Sequence, residues 1–465
     1  MAGAGAETGN GEAEAEEQPA AEAEEKPDPW PAPVADRPVV AAVSLPGSKS
    51  LTNRALILAA LAEGPSVVDQ PLRSRDTALM ATGLRRLGAG IDDLPGGAWR
   101  ITPGALTGEA TIDVGNAGTV MRFLPPVACL ADGPVRFDGD PRSRERPLGP
   151  VIDALRRLGA EIEAGDRGGL PITVHGSGGL PGGEVELDAS ASSQFVSALL
   201  LAAPRFERGV VVRHAGPPVP SLPHVAMTVA ALRSAGVQVD DSEPDLWRVR
   251  PGPVLARDVT IEPDLSNAAP FLAAAMVTGG TVTVTGWPRA TTQPGDRLPQ
   301  LFSAMGGSVS RGTDGSLTLT GPGGGAAGLR GVDVDLHDCG ELVPVLATVA
   351  ALAPEPSRFS GVAHLRAHET DRLAALVSEL GRVGLRVIET GNGLMFDPAD
   401  PAARRSADLT TYDDHRLATA AAVLGLVIPG VRVRDVATTA KTLPDFPERW
   451  TAMLAGSDAH ARMSG

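Results

Sequence analysis

Only three of the 41 basic residues in this 465-residue chain are lysines: Lys26, Lys49 and Lys441. Lys49 sits in the turn of "LPGSKSLTNRALILAALAEG", residues 45–64. A lysine is a compact, rotatable point charge, whereas an arginine is a broad planar fork. A turn that brings one ammonium close to several oxygens therefore favours lysine. Arg54 follows Lys49 one helical turn later, and Lys441 lies in "AKTLPDF". Arg142, Arg144 and Arg146 cluster in "DGDPRSRERPLG", framed by proline and glycine. Acids and cations then mix in three short stretches. "HDCGEL" offers Glu341, "RAHETDRL" holds His368, Glu369, Asp371 and Arg372, and "YDDHR" holds Asp413, Asp414, His415 and Arg416 beside Tyr412, the only tyrosine. Cations in such numbers suit ligands bearing carboxylates and phosphates. Carboxyl groups held among them can be poised between acid and base forms, as proton transfer requires.

Most of these side chains sit where a short β-type run gives way to a small polar turn and an Ala/Leu-rich helix. Six such segments occur, anchored on Lys49, Asn116, Ser192, Asn267, Gly340 and Asp414 at steps of 67, 76, 75, 73 and 74 residues. A second pattern interleaves with them. "LRRLGAGI", "LRRLGAEI", "LRSAGVQV", "FSAMGGSV" and "LGRVGLRV" begin at Leu84, Leu155, Leu232, Phe302 and Leu380, 71, 77, 70 and 78 residues apart. Each reads as a helix end, a glycine at the position that takes positive φ, and a strand start. Six units of this length exceed the usual solenoid period of ~20–50 residues, so each can hold several strands and two helices. Three units per domain divide the chain near residue 262.

A helix start is an anion site in its own right, because its free N–H groups and dipole favour negative charge. In the first segment Ser48 or Ser50 can cap the helix. The order Gly-Ser-Lys-Ser departs from a nucleotide-phosphate loop, which needs Gly, four residues, then Gly-Lys-Ser/Thr. "GNAGT" places Gly118 where a Cβ would intrude on a ligand. "ASSQF" sets Ser192, Ser193 and Gln194 at another start, and "PSLPH" adds Ser221 and His224. Taken singly, each has a plainer role: Ser-Ser as an N-cap, the arginine run as a solvated face, the acid–base clusters as surface ion pairs. A zinc site from His364, His368 and His415 lacks supporting spacing.

Composition narrows the classes. Net charge is −15 and aromatics are 3%, which disfavours a polyanion partner and base-stacking platforms. Mean hydropathy is +0.02, no run reaches the ~18 apolar residues of a membrane span, and Cys129 and Cys339 form no spacing motif. Residues 1–35 hold nine acids and one lysine amid Ala, Glu and Pro, a composition expected to stay disordered. The expectation is an α/β protein that binds neither nucleic acid nor membrane.

Taken in order, "LPGSKSLTNRALILAALAEG", "GNAGT", "RERPLG", "SSQF", "HETDR", "YDDHR" and "AKTLPDF" resemble the 5-enolpyruvylshikimate-3-phosphate synthase family from about Val39 to Trp450. The resemblance implies a two-domain inside-out α/β barrel of six βαβαββ units, three per domain. One domain would cover 48–262, the other 36–47 plus 263–455, with the active site in the cleft between them. It implies transfer of the enolpyruvyl group of phosphoenolpyruvate to the 5-hydroxyl of shikimate 3-phosphate, releasing phosphate, without metal or organic cofactor, and a cytoplasmic, monomeric enzyme is expected. Together the substrates bring roughly six negative charges, each phosphate monoester supplying up to about two.

By the same resemblance Lys49 touches both ligands, while Ser50 and Arg54 hold the shikimate carboxylate and a nearby hydroxyl. Ser192, Ser193, Ser221 and His368 line the 3-phosphate, and Gln194 and Glu341 also face this substrate. Gly118, Arg142, Gln194, Arg372, Arg416 and Lys441 surround phosphoenolpyruvate. Glu341 is the expected base near the 5-hydroxyl and Glu369 the acid/base at the methylene carbon, with His415 a lesser participant and Lys49 close to both steps. Three departures stand out: Glu341 where many members have Asp, His368 where many have Lys, and Phe123 where Pro is common, which bears on the shape around Gly118. Two alternatives are a transferase that uses UDP-N-acetylglucosamine, which usually carries a reactive loop cysteine, and a non-catalytic anion-binding protein of the same fold.

Overall fold

The protein is described here from a computed structural model covering residues 29–165 and 168–456. Its buried apolar side chains form two clusters. One runs from Leu56 to Ile261; the other joins Ala32 and Val39 to residues between Leu265 and Met453.

Among the described residues there are six sheets, five of them four-stranded with one shared build. The second unit illustrates it. Strands Ala110–Asp113 and Asp132–Asp138 pair in parallel, and the chain between them forms the helix Gly118–Ala128. A second helix, Gly149–Arg157, leads to Glu161–Ala164, which pairs antiparallel with Ile172–Ser177. The two helices differ in kind. Gly118–Ala128 buries every residue after its first, whereas Gly149–Arg157 buries one stripe and ends in Arg156 and Arg157. The other long Ala/Leu-rich segments behave like the former, and Val343–Leu352 is buried throughout. A helix apolar all round has to lie inside.

The glycines expected at helix ends take that role. Gly88, Gly159, Gly236, Gly306 and Gly384 have φ between 79° and 107°, a region closed to most side chains. The sixth outer helix, Phe446–Ala455, ends likewise at Gly456, with φ 75°.

Two segments carry the chain between the clusters. Val40–Val43 pairs in parallel with Thr281–Val284 of the second half, and Val259–Thr260 pairs with Ser66–Asp69 of the first. Between them Gly47 bridges Pro263, and Ser48 N donates to the Glu262 carbonyl at 2.8 Å. A Cβ on Gly47 would come within 2.2 Å of the Gln70 carbonyl oxygen, so the close approach requires glycine.

The expected disordered tail needs a correction at its end. Residues 1–28 lie outside the described residues. Trp30–Pro31, however, pairs antiparallel with Val433 and Arg432, and Ala32 is buried. This short strand completes the sixth sheet, whose other strands are Asp408–Thr410 and Arg432–Arg434. The Trp30 ring packs edge-on against Phe446 at 6.4 Å, and burying that ring favours order despite the polar sequence before it.

Candidate active site

The starts of the buried helices from both halves converge on one cavity. The first half contributes Lys49 and Ser50 from one helix, Gly118 and Thr119 from a second, Ser192, Ser193 and Gln194 from a third, Ser221 before the outer helix Pro223–Ser234 and His224 in its first turn. From the second half come Glu341, His364, His368, Glu369, Arg372, His415 and Arg416. Arg146 closes one side.

The expected caps at Ser48 or Ser50 do not form. Ser48 occupies the N-cap without a side-chain bond, and Asp264 of the second half accepts from Lys49 N at 3.1 Å. Asp264 also caps its own helix through Ser266 N and Asn267 N. One carboxylate thus ties the two crossing segments to two helix starts. Lys49 Nζ donates to the buried Asp76 at 3.0 Å, which fixes where the ammonium stands.

Three of the expected ligand-facing residues do not line the cavity. Arg54 is fully buried behind Ser50: its guanidinium donates to Thr228 Oγ1 at 2.8 Å, the Ser50 carbonyl at 2.9 Å and the His224 carbonyl at 2.9 Å. It also lies over the Phe123 ring at 5.2 Å. Being one turn into its helix, Arg54 is directed at the backbone it braces, and Phe123 packs under Arg54. Arg142 stands outside the cavity and donates through Nε to the Glu369 carbonyl at 3.1 Å, so it fastens one half to the other. Lys441 is buried nearby, and its Nζ has no hydrogen-bond partner among the described residues.

Arg146, for which the sequence indicated no ligand role, lines the cavity in place of Arg142. It is 6% exposed, donates through Nη1 to the Asn116 carbonyl at 2.8 Å, and brings Nη2 to 3.8 Å from Glu369 Oε1. A Cβ on Gly118 would lie 2.8 Å from Arg146 Nη2 and 3.1 Å from Gln194 Oε1. Gly118 is therefore the gap through which a ligand can reach this guanidinium. Pro147 is the local signal, because the residue before proline is held extended; Arg146 has ψ 141°. Arg144 turns outward instead, pairing with Asp138 at 3.0 Å. Thr119, His224 and His364 also line the cavity; the sequence placed His224 at a helix start and weighed His364 only as a zinc ligand, while for Thr119 its place in "GNAGT" was the one signal.

On the second half the charges are wired together. Arg372 Nε donates to Asp414 Oδ2 at 2.7 Å and Nη2 to Glu369 Oε2 at 2.8 Å. Asp414, fully buried, also caps the helix His415–Gly425 through Arg416 N at 2.8 Å. Burial works against ionisation of Glu369, but Arg372, Arg146 and Lys441 outweigh it and hold its carboxyl well below the usual range. Glu341 follows the same pattern. Burial raises it, while His224, with Nε2 3.4 Å from Glu341 Oε1, and Arg416 bring it below its ordinary value. Burial and the Arg372 charge keep His368 well below the normal imidazole value, and burial with Arg416 and Lys49 does so for His415. Burial pulls Lys441 down as well. The cavity thus combines ionised carboxylates, neutral imidazoles and clustered cations, an arrangement built for a polyanion that undergoes proton transfer.

Comparison with known proteins agrees with this arrangement. Residues 34–450 match the family model described as EPSP synthase (3-phosphoshikimate 1-carboxyvinyltransferase). The chain belongs to the EPSP synthase family. A 3-phosphoshikimate 1-carboxyvinyltransferase of Kocuria rhizophila is 54% identical over 431 residues, which is 90% of this chain and 95% of that one. Among solved structures, an EPSP synthase from Acinetobacter baumannii has the same fold with a TM-score of 0.73 at 23% identity, covering 90% of this chain and 96% of that one. The enolpyruvyl transferase NikO from Streptomyces tendae follows at 0.70 and 19%, over 90% and 96% of the two chains. The two-domain α/β architecture expected from the repeats is that of the EPSP synthases, and no described helix is long and apolar enough to cross a membrane.

Proposed function

We propose that the protein transfers the enolpyruvyl group of phosphoenolpyruvate to the 5-hydroxyl of shikimate 3-phosphate, with both substrates held in the cavity between the halves. The observation that carries this reading is the convergence, on one cavity, of first-half helix starts with second-half cations and carboxylates.

Ser192, Ser193 and Ser221, with His368 and His364 opposite, suit the 3-phosphate. Ser50, braced by Arg54, suits the shikimate carboxylate and its neighbouring hydroxyl. Arg372 and Arg416 offer two guanidiniums to the carboxylate of phosphoenolpyruvate, and Gly118, Gln194 and Arg146 offer the room and charge its phosphate needs. Lys49, anchored on Asp76, stands between the two substrates. Lys441 and Arg142 act from behind this layer.

The reaction requires a proton on C3 of phosphoenolpyruvate, which makes C2 electrophilic, and removal of the 5-hydroxyl proton as its oxygen bonds to C2. Glu341, ionised and beside Arg416, suits the second task. For the first, Glu369 has to gain a proton; the negative charge of the substrates offsets Arg372, Arg146 and Lys441 and raises its pKa toward that role. The Lys441 ammonium, made more acidic by burial, suits as the supplier. In the second step Glu369 takes a proton from C3, the C2=C3 double bond re-forms as the bond between C2 and the phosphate's bridging oxygen breaks, and phosphate leaves with that oxygen. Because the cations are already fixed, the site stabilises developing charge without reorganising.

Phosphate release tests the proposal. It is expected with phosphoenolpyruvate and shikimate 3-phosphate together. Release only with UDP-N-acetylglucosamine would move the protein to that acceptor, and release with neither would leave an anion-binding protein.

A further inference from the structure

A buried carboxylate away from the cavity, Glu379, has a geometry that the reaction itself does not use. It lies two turns beyond Arg372 on the helix Arg372–Arg382 and is 6% exposed. Its Oε2 accepts from Thr410 N at 2.9 Å, and its Oε1 accepts from Tyr412 Oη at 2.7 Å, from Arg382 Nε at 3.2 Å and from Ser378 Oγ at 3.3 Å. Thr410 ends a strand and Tyr412 begins the turn into the helix His415–Gly425. Tyr412 and Asp413 both have left-handed backbone, with φ 52° and 56°. Two such residues in a row, neither of them glycine, persist only where their surroundings hold them.

The same helix therefore grips the same segment at two points. Near its start Arg372 holds Asp414 through two hydrogen bonds, and near its end Glu379 holds Thr410 and Tyr412. The left-handed pair lies between the grips. If the second grip opens, the turn can relax to right-handed backbone, and Asp414 and Arg416 swing with it. We propose that Glu379 and Tyr412 are positioning residues: through the left-handed turn they set Asp414 against Arg372 and aim Arg416 into the cavity. The effect on phosphoenolpyruvate rests on the functional reading above.

Two variants separate positioning from plain stability. In Tyr412→Phe and in Glu379→Gln, KM for phosphoenolpyruvate is expected to rise roughly tenfold while KM for shikimate 3-phosphate changes less than about twofold. A merely structural role would lower thermal stability and leave that ratio alone. Tyr412, as the only tyrosine, gives an independent spectroscopic signal in its ultraviolet pH titration. The residue is 37% exposed; partial desolvation and the bond to Glu379 raise its ionisation above the usual value, so Glu379→Gln is expected to bring the midpoint down. A midpoint unchanged by Glu379→Gln would overturn the contact. A midpoint that falls while both KM values move together, or neither moves, would overturn the positioning role. If wild-type protein releases no phosphate, the functional reading fails, and the titration still tests the contact.

Discussion

The two halves are built from the same repeat yet prepare several of their helix starts in opposite ways. In the first half the starts at Lys49, Gly118 and Gln194 carry no acidic residue in the first turn and no side-chain cap from their own N-cap residue. The start at Gly118 therefore keeps its N–H groups and positive dipole end for a ligand, with the Thr119 hydroxyl beside it, whereas at the start at Gln194 the Ser192 hydroxyl accepts from Gln194 N at 3.2 Å. In the second half Asp264, Asp371 and Asp414 cap three helices, which consumes that dipole, and Val343–Leu352 alone among the described buried helices there starts without a side-chain cap. On the proposed function, binding strength there resides in Arg372 and Arg416, and Asp414 and Glu369 already partly balance the former. Apart from Lys49 and Arg146, the first half thus offers neutral, geometric recognition, while the other offers charge held at a fixed distance from countercharge. Recognition of the first kind tolerates small losses; recognition of the second kind fails as a unit.

The largest test falls on the charged half. Arg372→Met strips Asp414 of its main partner and leaves a buried carboxylate exposed to no water. A loss of about 3–5 kcal/mol in stability is expected for breaking such a pair, with phosphate release lost as well; denaturant unfolding and the release assay measure the two. Loss of activity at unchanged stability would mean that Asp414 is balanced elsewhere. Lys49→Arg comes next. It keeps the charge, but a guanidinium does not fit where the ammonium stands 3.0 Å from Asp76, and kcat/KM is expected to fall about 100-fold, near 2.7 kcal/mol. Rates close to wild type would refute the account of why lysine survives in that turn.

Gly118→Ala probes the neutral half. Its Cβ displaces the mobile end of Arg146, and KM for phosphoenolpyruvate is expected to rise about tenfold with KM for shikimate 3-phosphate near unchanged. An equal rise in both would place Gly118 at the other substrate.

The smallest effect is a pH slope. In the free protein, burial and Arg372 keep His368 neutral at pH values below 6.5. A bound phosphate dianion favours its imidazolium, so the complex holds more protons than the free protein, and affinity for shikimate 3-phosphate rises as pH falls from neutral. The change cannot exceed about tenfold per pH unit. His368→Gln should remove this component, leaving those of the phosphate group and of His364, whose pKa burial holds at about 4, whereas Ser193→Ala should weaken binding equally at every pH. An identical slope in His368→Gln would exclude the histidine.

The repeat, the helix starts and most of the cavity residues were legible in the sequence because each depends on a few neighbouring positions. A glycine after a helix, or a serine before one, acts locally. What escaped acts over long separations. Nothing near Lys49 announces Asp264, 215 residues away, as the acceptor at its N–H, and nothing near Arg54 announces that Thr228 and the His224 carbonyl absorb its guanidinium. Arg142 and Arg146 look alike in "RSRERP"; only the conformation imposed by Pro147 tells which faces inward. Trp30 sits next to a run of acids and prolines, and its anchoring depends on Phe446.

That anchoring has a consequence for biosynthesis. The segment around residue 30 leaves the ribosome roughly 400 positions ahead of Val433, the residue it pairs with, at a synthesis rate of about 5–20 residues per second. For some tens of seconds the nascent chain must carry this edge segment unmatched, and the last sheet can be sealed only after nearly everything else has emerged. The segment around Trp30 therefore acts as a late clasp, closing its sheet long after it has been synthesised.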